Sequence, residues 1–425
     1  AFIIKDKNTY GFRLASYDRT KPLVIDPLVY STYMGGGQSE YGEDIDFDPN
    51  GAPVVVGHTG SSTSDRFPFR NGIYGQINAP TDVFVTKFTA DLSDIIFSTF
   101  YGSSVGPGAQ GYDFGYCIGV DKIDGVITIA GSVFGIAPFT GGRDHVYHGG
   151  KDAFVAKITG GGTNLIYGTN LGGNASDEVE DLALLPFTGE AVVVGSTSSP
   201  DFPTTPGSVR PTVLSDFALR GEGFAAKVSR NGDALGFSTY IGSDSSSDIC
   251  LGVAIDKNNS PIIVGRTAPS SFGMSDVRPT RAFLYNRGYR PNNTSNTTAD
   301  GFIIKLGAGG TTIDNGTLIG GNKFDECTGV DVDRFGFAVV CGNTESLDIG
   351  ATQFDQSLGG AREGFALRIN TAGGPPNFIT YLGGSSDEDE MLNVKYYDQT
   401  GAMVVCGKTN SGDFPTGKVT DLPFR

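Results

Sequence analysis

Apolar residues in this chain fall in short runs of Val, Ile, Phe and Tyr, broken by glycine, proline and small polar residues. Such runs bounded by turn residues predict β-strands, and blocks of helix-favouring Ala, Leu, Glu and Lys are almost absent. The runs recur as four signatures in fixed order. The first is an aromatic strand ending in small residues: YSTYMGG at 30–36, FSTFYGS at 97–103, YGTNLGG at 167–173, FSTYIGS at 237–243, and the weaker GTLIGG at 316–321 and ITYLGG at 379–384. Counted on the glycine pair from Gly35, the six copies lie 67, 70, 70, 78 and 63 residues apart. A period of this length is the mark of a repeat architecture.

The second signature is a short strand that usually ends in Asp: IDFD at 45–48, IGVD at 118–121, VAID at 253–256 and VDVD at 330–333. The third ends in Gly: VVVG at 54–57, ITIAG at 127–131, VVVG at 192–195, IIVG at 262–265, and VVCG at 339–342 and 404–407. Their spacing makes the two a hairpin. A loop often carrying Phe-Pro follows (Phe67-Pro68, Phe202-Pro203, Phe414-Pro415). The fourth is DVFVTK at 82–87, DAFVAK at 152–157, GFAAK at 223–227, DGFIIK at 300–305 and EGFALR at 363–368. Four antiparallel strands per repeat, six times over, predict an all-β fold: a six-bladed β-propeller with an extended N-terminal β arm. A β-helix or an open sheet is the alternative, but β-helix coils are usually much shorter than this period. The predicted division is an arm at 1–27 and a propeller at 28–425, with repeats starting near 28, 95, 165, 235, 314 and 377.

The order YSTYxGG, acidic loop, Asp-ended strand, VVxGxT, Phe-Pro and DAFVxK resembles the bacterial SBBP β-propeller repeat family, as does the lead-in PLVIDPLVYSTY at 22–33. The resemblance covers nearly the whole chain; repeats one to four match well, and five and six keep parts. It implies a secreted or cell-surface propeller, and it implies no activity, because the family is defined by fold.

The sixth repeat lacks its DAFVxK strand, since ten residues follow Phe414-Pro415. Phe2, Ile3, Ile4 and Lys5 repeat Phe302 to Lys305 letter for letter. Tyr10, Phe12 and Leu14 then alternate with smaller or polar residues, a half-buried strand pattern. The arm would supply the missing strand, as a latch on its own ring or as a strand donated to a neighbour; a chance match of a common β tetrapeptide is the third reading. Residues 1–27 carry a net +2 and the remainder −18, a contrast that suits docking.

A net charge of −16 argues against nucleic-acid partners, and no apolar run is long enough to span a bilayer. The five cysteines are an odd number in no zinc-binding pattern and read as small buried side chains. Acidic loops follow the first signature: Glu40, Glu43 and Asp44; Asp177, Glu178, Glu180 and Asp181; Asp325 and Glu326; Asp387, Glu388, Asp389 and Glu390. An acid four positions after the glycine pair recurs as Glu40, Asp177, Asp325 and Glu388, so it serves the blade rather than one site. The extra density at 387–390 is the candidate for Ca²⁺, the one cofactor suggested. His145 and His148 lie in a Gly-rich loop far from the third histidine, His58, and a solvated loop accounts for them. Six sequons mark glycosylation candidates: Asn292, Asn293 and Asn296 in an Arg/Tyr-bearing insertion of repeat four, and Asn174, Asn258 and Asn315 singly. Catalytic signatures are absent, and so is Trp, a frequent stacking platform for sugars.

These readings order three functions. The first is a non-enzymatic extracellular assembly subunit whose partner is itself, as a homo-oligomer or a head-to-tail filament. The second is a glycan- or Ca²⁺-binding module. The third is a polysaccharide-acting hydrolase or lyase, since paired carboxylates are easily found among so many acids.

Overall fold

The computed structural model describes residues 2–6, 9–12, 32–103, 111–135, 137–138, 140–213, 221–242, 247–267, 298–352, 354–386 and 388–415. Asn292, Asn293, Asn296, Leu14 and Asp387 lie outside them. The chain divides into two units, Ala1–Met34 and Gly35–Arg425. In the first, β1 (Phe2–Asp6) and β2 (Thr9–Phe12) form an antiparallel hairpin with Phe2 opposite Phe12 and Ile4 opposite Tyr10. The arm residues Phe2, Ile3, Ile4, Lys5, Tyr10 and Phe12 thus sit in strands that pair with each other.

The second unit is a succession of antiparallel meanders. Sheet I runs β3 (Glu40–Phe47), β4 (Pro53–Thr59), β5 (Asp82–Phe88), β6 (Ile95–Tyr101). Sheet II runs β7 (Phe114–Val120), β8 (Ile127–Val133), β9 (Asp152–Ile158), β10 (Leu165–Asn170). Sheet III runs β11 (Asp177–Leu184), β12 (Ala191–Thr197), β13 (Glu222–Val228), β14 (Leu235–Ile241). Sheet IV runs β15 (Asp248–Ile255), β16 (Pro261–Thr267), β17 (Asp300–Leu306), β18 (Ile313–Ile319). Sheet V runs β19 (Asp325–Val332), β20 (Phe337–Thr344), β21 (Glu363–Asn370), β22 (Phe378–Leu382), complete despite its diverged sequence. Sheet VI is the hairpin β23 (Asp389–Tyr397) and β24 (Ala402–Thr409).

The first strand of each sheet touches the first strand of the next, from β3 through β7, β11, β15 and β19 to β23. Residues from all six line one cavity. Successive meanders with their first strands gathered on a shared channel make a β-propeller, and the second signature is therefore the innermost strand. The acidic stretches expected as loops belong to these inner strands, because their acids alternate with apolar residues at the strand period.

The core lies in the seams between sheets. One apolar cluster joins sheets I and II around Val54, Val83, Ile129 and Phe154, and others join II to III, III to IV and IV to V. The seam between V and VI is smaller, with Val339, Cys341, Met391 and Val394 buried. Second strands in sheets I to V are almost wholly buried, whereas β24 is largely exposed. The signatures acquire causes here. The Phe of the Phe-Pro loop folds back onto the outer strands of its own sheet, Phe67 against Phe84 and Phe100, and Phe202 against Phe224 and Tyr240. The closing Gly of VVVG leaves room for the neighbouring strand, since a β-carbon on Gly195 would collide with the Glu178 carbonyl oxygen. The final Lys or Arg of the fourth signature reaches back to the Asp ending the first strand: Lys87 to Asp48 at 3.0 Å, Lys305 to Asp256 at 2.7 Å, Arg368 to Asp333 at 2.5 Å.

Candidate functional site in the axial channel

Every inner strand breaks register at the same place, between Gly42 and Asp44 in β3, Val179 and Asp181 in β11, and Met391 and Asn393 in β23, with equivalents in β7, β15 and β19. A bulge leaves one residue unpaired and turns its side chain out of the ladder; Glu43 and Glu180 occupy it in sheets I and III. Beyond the bulges the inner strands enclose a channel of about 450 Å³, within the range of about 300–1,000 Å³ usual for small-ligand sites. Asp44, Asp46, Asp181 and Asp331 line it, with Asn393 and Lys395.

These aspartates tie adjacent sheets together. Asp44 Oδ2 accepts from Ile118 N at 2.9 Å and Asp46 Oδ2 from Val120 N at 2.7 Å. Asp181 Oδ2 accepts from Val253 N and Asp331 Oδ2 from Tyr396 N, both at 2.8 Å. Burial pushes the Asp181 carboxyl up to about 7, against the lowering pull of Lys395 and the two backbone N–H groups. Burial likewise raises Asp44, and brings Glu180 to about 7. Burial works to lower the Lys395 ammonium, but the carboxylates of Asp331, Asp181, Asp44 and Asp46 outweigh it and hold it above its ordinary value. The channel therefore sets the raised Asp181 carboxyl among further aspartates and the two lysines Lys122 and Lys395, a combination suited to proton transfer.

The channel opens where each first strand turns into the second, since Ile123 and Phe187 of those turns also line it. There the chain exposes Phe47, Ile123, Phe187, Phe335 and Tyr397, one from each of five sheets; Phe187 is 85% exposed. The Arg334 guanidinium lies 4.9 Å from the Phe335 ring centre. Aromatic faces bare to water around a channel mouth form a stacking platform, supplied by Phe and Tyr in a chain without Trp.

The residues singled out in the sequence are placed elsewhere. Asp177 accepts from Gly173 N and from the Thr197 and Ser199 hydroxyls. Asp325 does the same with Gly321, Thr344 and Ser346, and Asp389 with Gly384, Thr409 and Ser411. The recurring acid serves the sheets; in sheet VI it is Asp389 rather than Glu388, one residue later than the spacing indicates. Glu390 is held by Arg362 and Lys408, and Glu388 bridges by backbone to Arg362, so the described part of the 387–390 cluster is divided among structural contacts. Among the described residues no three or more His, Cys, Asp and Glu side chains gather for a metal. His148 meets Asp144 at 3.0 Å, while His58 stacks on Tyr41 and meets Phe114 edge-on. Asn174 and Asn258 are exposed, whereas the Asn315 amide donates to Thr371 O at 2.9 Å. Cys117, Cys250, Cys327 and Cys341 are buried free thiols, as small apolar side chains would be, and Cys406 is exposed.

No family model and no curated protein matches the sequence. Solved structures are similar over most of the chain. An α-L-arabinanase of Penicillium chrysogenum, complexed with arabinobiose, is 12% identical over 89% of this chain and 94% of its own, at a TM-score of 0.44. YCF48 bound to D1 peptide is 7% identical over 92% and 83%, at 0.40. The α-L-arabinofuranosidase Arb93A of Fusarium graminearum, with an iminosugar inhibitor, is 10% identical over 89% and 95%, at 0.42. The chain is similar to these proteins; the propeller assignment rests on the sheet order. The expectation of a non-enzymatic, filament-forming assembly subunit is corrected: the axial channel gathers Asp44, Asp181, Asp331 and Lys395, with the Asp181 carboxyl raised to about 7, and two of the solved structures just named are of enzymes. The channel acids come from different sheets and therefore form no local motif in the sequence. No helix among the described residues is long and apolar enough to cross a membrane.

Proposed function

We propose that the protein is a secreted, six-bladed propeller enzyme acting on a polysaccharide, with the axial channel as its active site. The observation that carries this reading is the Asp181 carboxyl, raised to about 7 inside a channel it shares with Asp44, Asp331 and Lys395. Asp181 is the proton donor to the leaving oxygen, and Asp44 the carboxylate that acts from across the channel. The Lys395 ammonium pulls the Asp44 and Asp181 carboxyls down against the upward push of burial, which leaves Asp181 neutral enough to give up its proton. The exposed rings of Phe47, Phe187, Phe335 and Tyr397 receive the sugar chain at the mouth. Similar proteins carry names that point to arabinan-type chains, so these are the first substrates to try.

Full-length protein is incubated with arabinan and with uronate-containing polysaccharides, following new reducing ends and unsaturated sugar ends. Asp181→Asn is expected to lower turnover by about 10²–10⁴-fold with an unchanged melting temperature. Sugar binding without turnover in the unsubstituted protein, or full activity in Asp181→Asn, overturns the reading.

A further inference from the structure

In sheets I to V the second strand is paired on its outer edge with a third strand of one pattern: an acid, a Phe two residues on, and a Lys or Arg three residues after that. The register is the same each time. Phe84, Phe154, Phe224, Phe302 and Phe365 stand opposite Gly57, Gly131, Gly195, Gly265 and Gly342, and the Lys or Arg stands opposite the residue three before that glycine. A β-carbon on Gly57, Gly265 or Gly342 would lie 2.9, 2.8 or 2.7 Å from the ring of Phe84, Phe302 or Phe365, so the glycine makes room for the Phe. The acid is buried at the seam, Asp82 beside Asp113 and Asp152 beside Asp177.

Sheet VI keeps the receiving half of this arrangement. Among the described residues β24 pairs with β23 alone, and its other edge is open. Val404 is 58% exposed, whereas Val54, Val192, Ile262 and Val339 at the same place are buried. The three atoms nearest a β-carbon on Gly407 all belong to the β23 backbone, and none to an aromatic ring. Asp398 follows β23 as Asp48, Asp256 and Asp333 follow β3, β15 and β19. Those three are buried beneath Lys87, Lys305 and Arg368 of the third strands. Asp398 is exposed and has no ion-pair partner among the described residues. An open edge presents unpaired N–H and C=O groups, and β24 has no proline to refuse a further strand.

We infer that the β24 edge is a binding surface for an extended segment of a partner polypeptide, added as the third strand of sheet VI. The segment reads acid, any residue, Phe, any two residues, then Lys or Arg. It runs antiparallel to β24, with the acid opposite Thr409, the Phe opposite Gly407 and the Lys or Arg opposite Val404. Backbone pairing supplies affinity, and the bare face of Gly407 and the Asp398 carboxylate select the sequence. Residues 28–425 carry a net −18, which favours the cationic end of such a segment. β1 repeats part of the pattern but is already paired with β2.

The test uses the full chain and a synthetic peptide copying residues 150–159, which contain the third strand of sheet II. Calorimetric titration is expected to give one peptide per chain, and hydrogen exchange to slow at the β24 amides. The melting temperature is expected to rise by a few degrees at saturating peptide. Phe154→Ala in the peptide is expected to weaken binding at least about tenfold. Lys157→Ala in the peptide is expected to weaken it several-fold on the unsubstituted chain but not on Asp398→Asn, whose change lies in an exposed turn. No binding, equal binding of a scrambled peptide, or protection that spares β24 overturns the inference. Self-association of the chain that the peptide disperses would also overturn it, by placing a second copy on the edge.

Discussion

The seams and the channel use the same residue type in opposite ways. In the seams, Asp177, Asp325 and Asp389 each saturate their oxygens with one backbone N–H and two hydroxyls, and the arrangement repeats from sheet to sheet. In the channel, Asp44 and Asp181 stand at a position that Cys117, Gly252, Gly329 and Asn393 fill in the other sheets. A carboxylate that repeats from sheet to sheet and accepts a full set of donors is part of the scaffold; one that appears in only two sheets and lines a channel is a candidate for chemistry. Subtracting the repeat from the sequence therefore separates framework from site better than counting acids does.

The comparison breaks most visibly if a seam acid proves dispensable. Asp325→Ala strands the Thr344 and Ser346 hydroxyls and the Gly321 N–H, and is expected to lower unfolding free energy by about 3–5 kcal/mol in urea titrations. Asp331→Asn in the channel keeps an oxygen for Tyr396 N and is expected to cost under about 1 kcal/mol; equal costs would erase the distinction. Lys87→Met leaves the buried Asp48 charge without its partner, and a loss of about 3 kcal/mol is expected in the same assay.

Solution pH sharpens the contrast further. Burial raises the seam carboxyls of Asp82 to about 7, Asp177 to about 6, Asp325 to about 7 and Glu222 to about 8. Each binds its proton more tightly in the folded chain than in the unfolded one, where the pKa is about 4. Their contribution to stability is complete below about pH 4 and is lost as pH rises through about 6–8. Asp48 and Asp389 act with the opposite sign: burial would raise them, but the N–H and hydroxyl donors on both, and Lys87 on Asp48, hold them low, so they weaken the fold only in acid. Melting temperature is expected to be highest near pH 4–5 and to fall by pH 8; a flat profile would show the seam pairs are fully ionised. The smallest effect is expected at the mouth: Phe187→Ala and Phe335→Ala should change stability by less than about 0.5 kcal/mol, yet weaken polysaccharide retention in affinity electrophoresis several-fold.

The order of strands, their hairpins and the structural duty of the recurring acid were legible because each depends on local chemistry. VVVG must be a strand tight against its neighbour, and an acid placed alike in each repeat must answer the same turn. Even the Asp that ends the inner strand and the Lys or Arg that ends the third were visible as letters, though not as a pair. In the arm, β1 pairs with β2, Phe2 opposite Phe12 and Ile4 opposite Tyr10.

What the sequence determined by itself was the repeat: strand-sized apolar runs and turn residues at a near-constant period, set by interactions within a few residues of one another. What only the tertiary structure decided was which strand faces the axis, and so which acids meet. Asp44, Asp181, Asp331 and Lys395 are separated by up to five sheets in the chain and converge only when the ring is formed. The desolvation that lifts Asp181 to about 7 comes from that enclosure and from no segment alone.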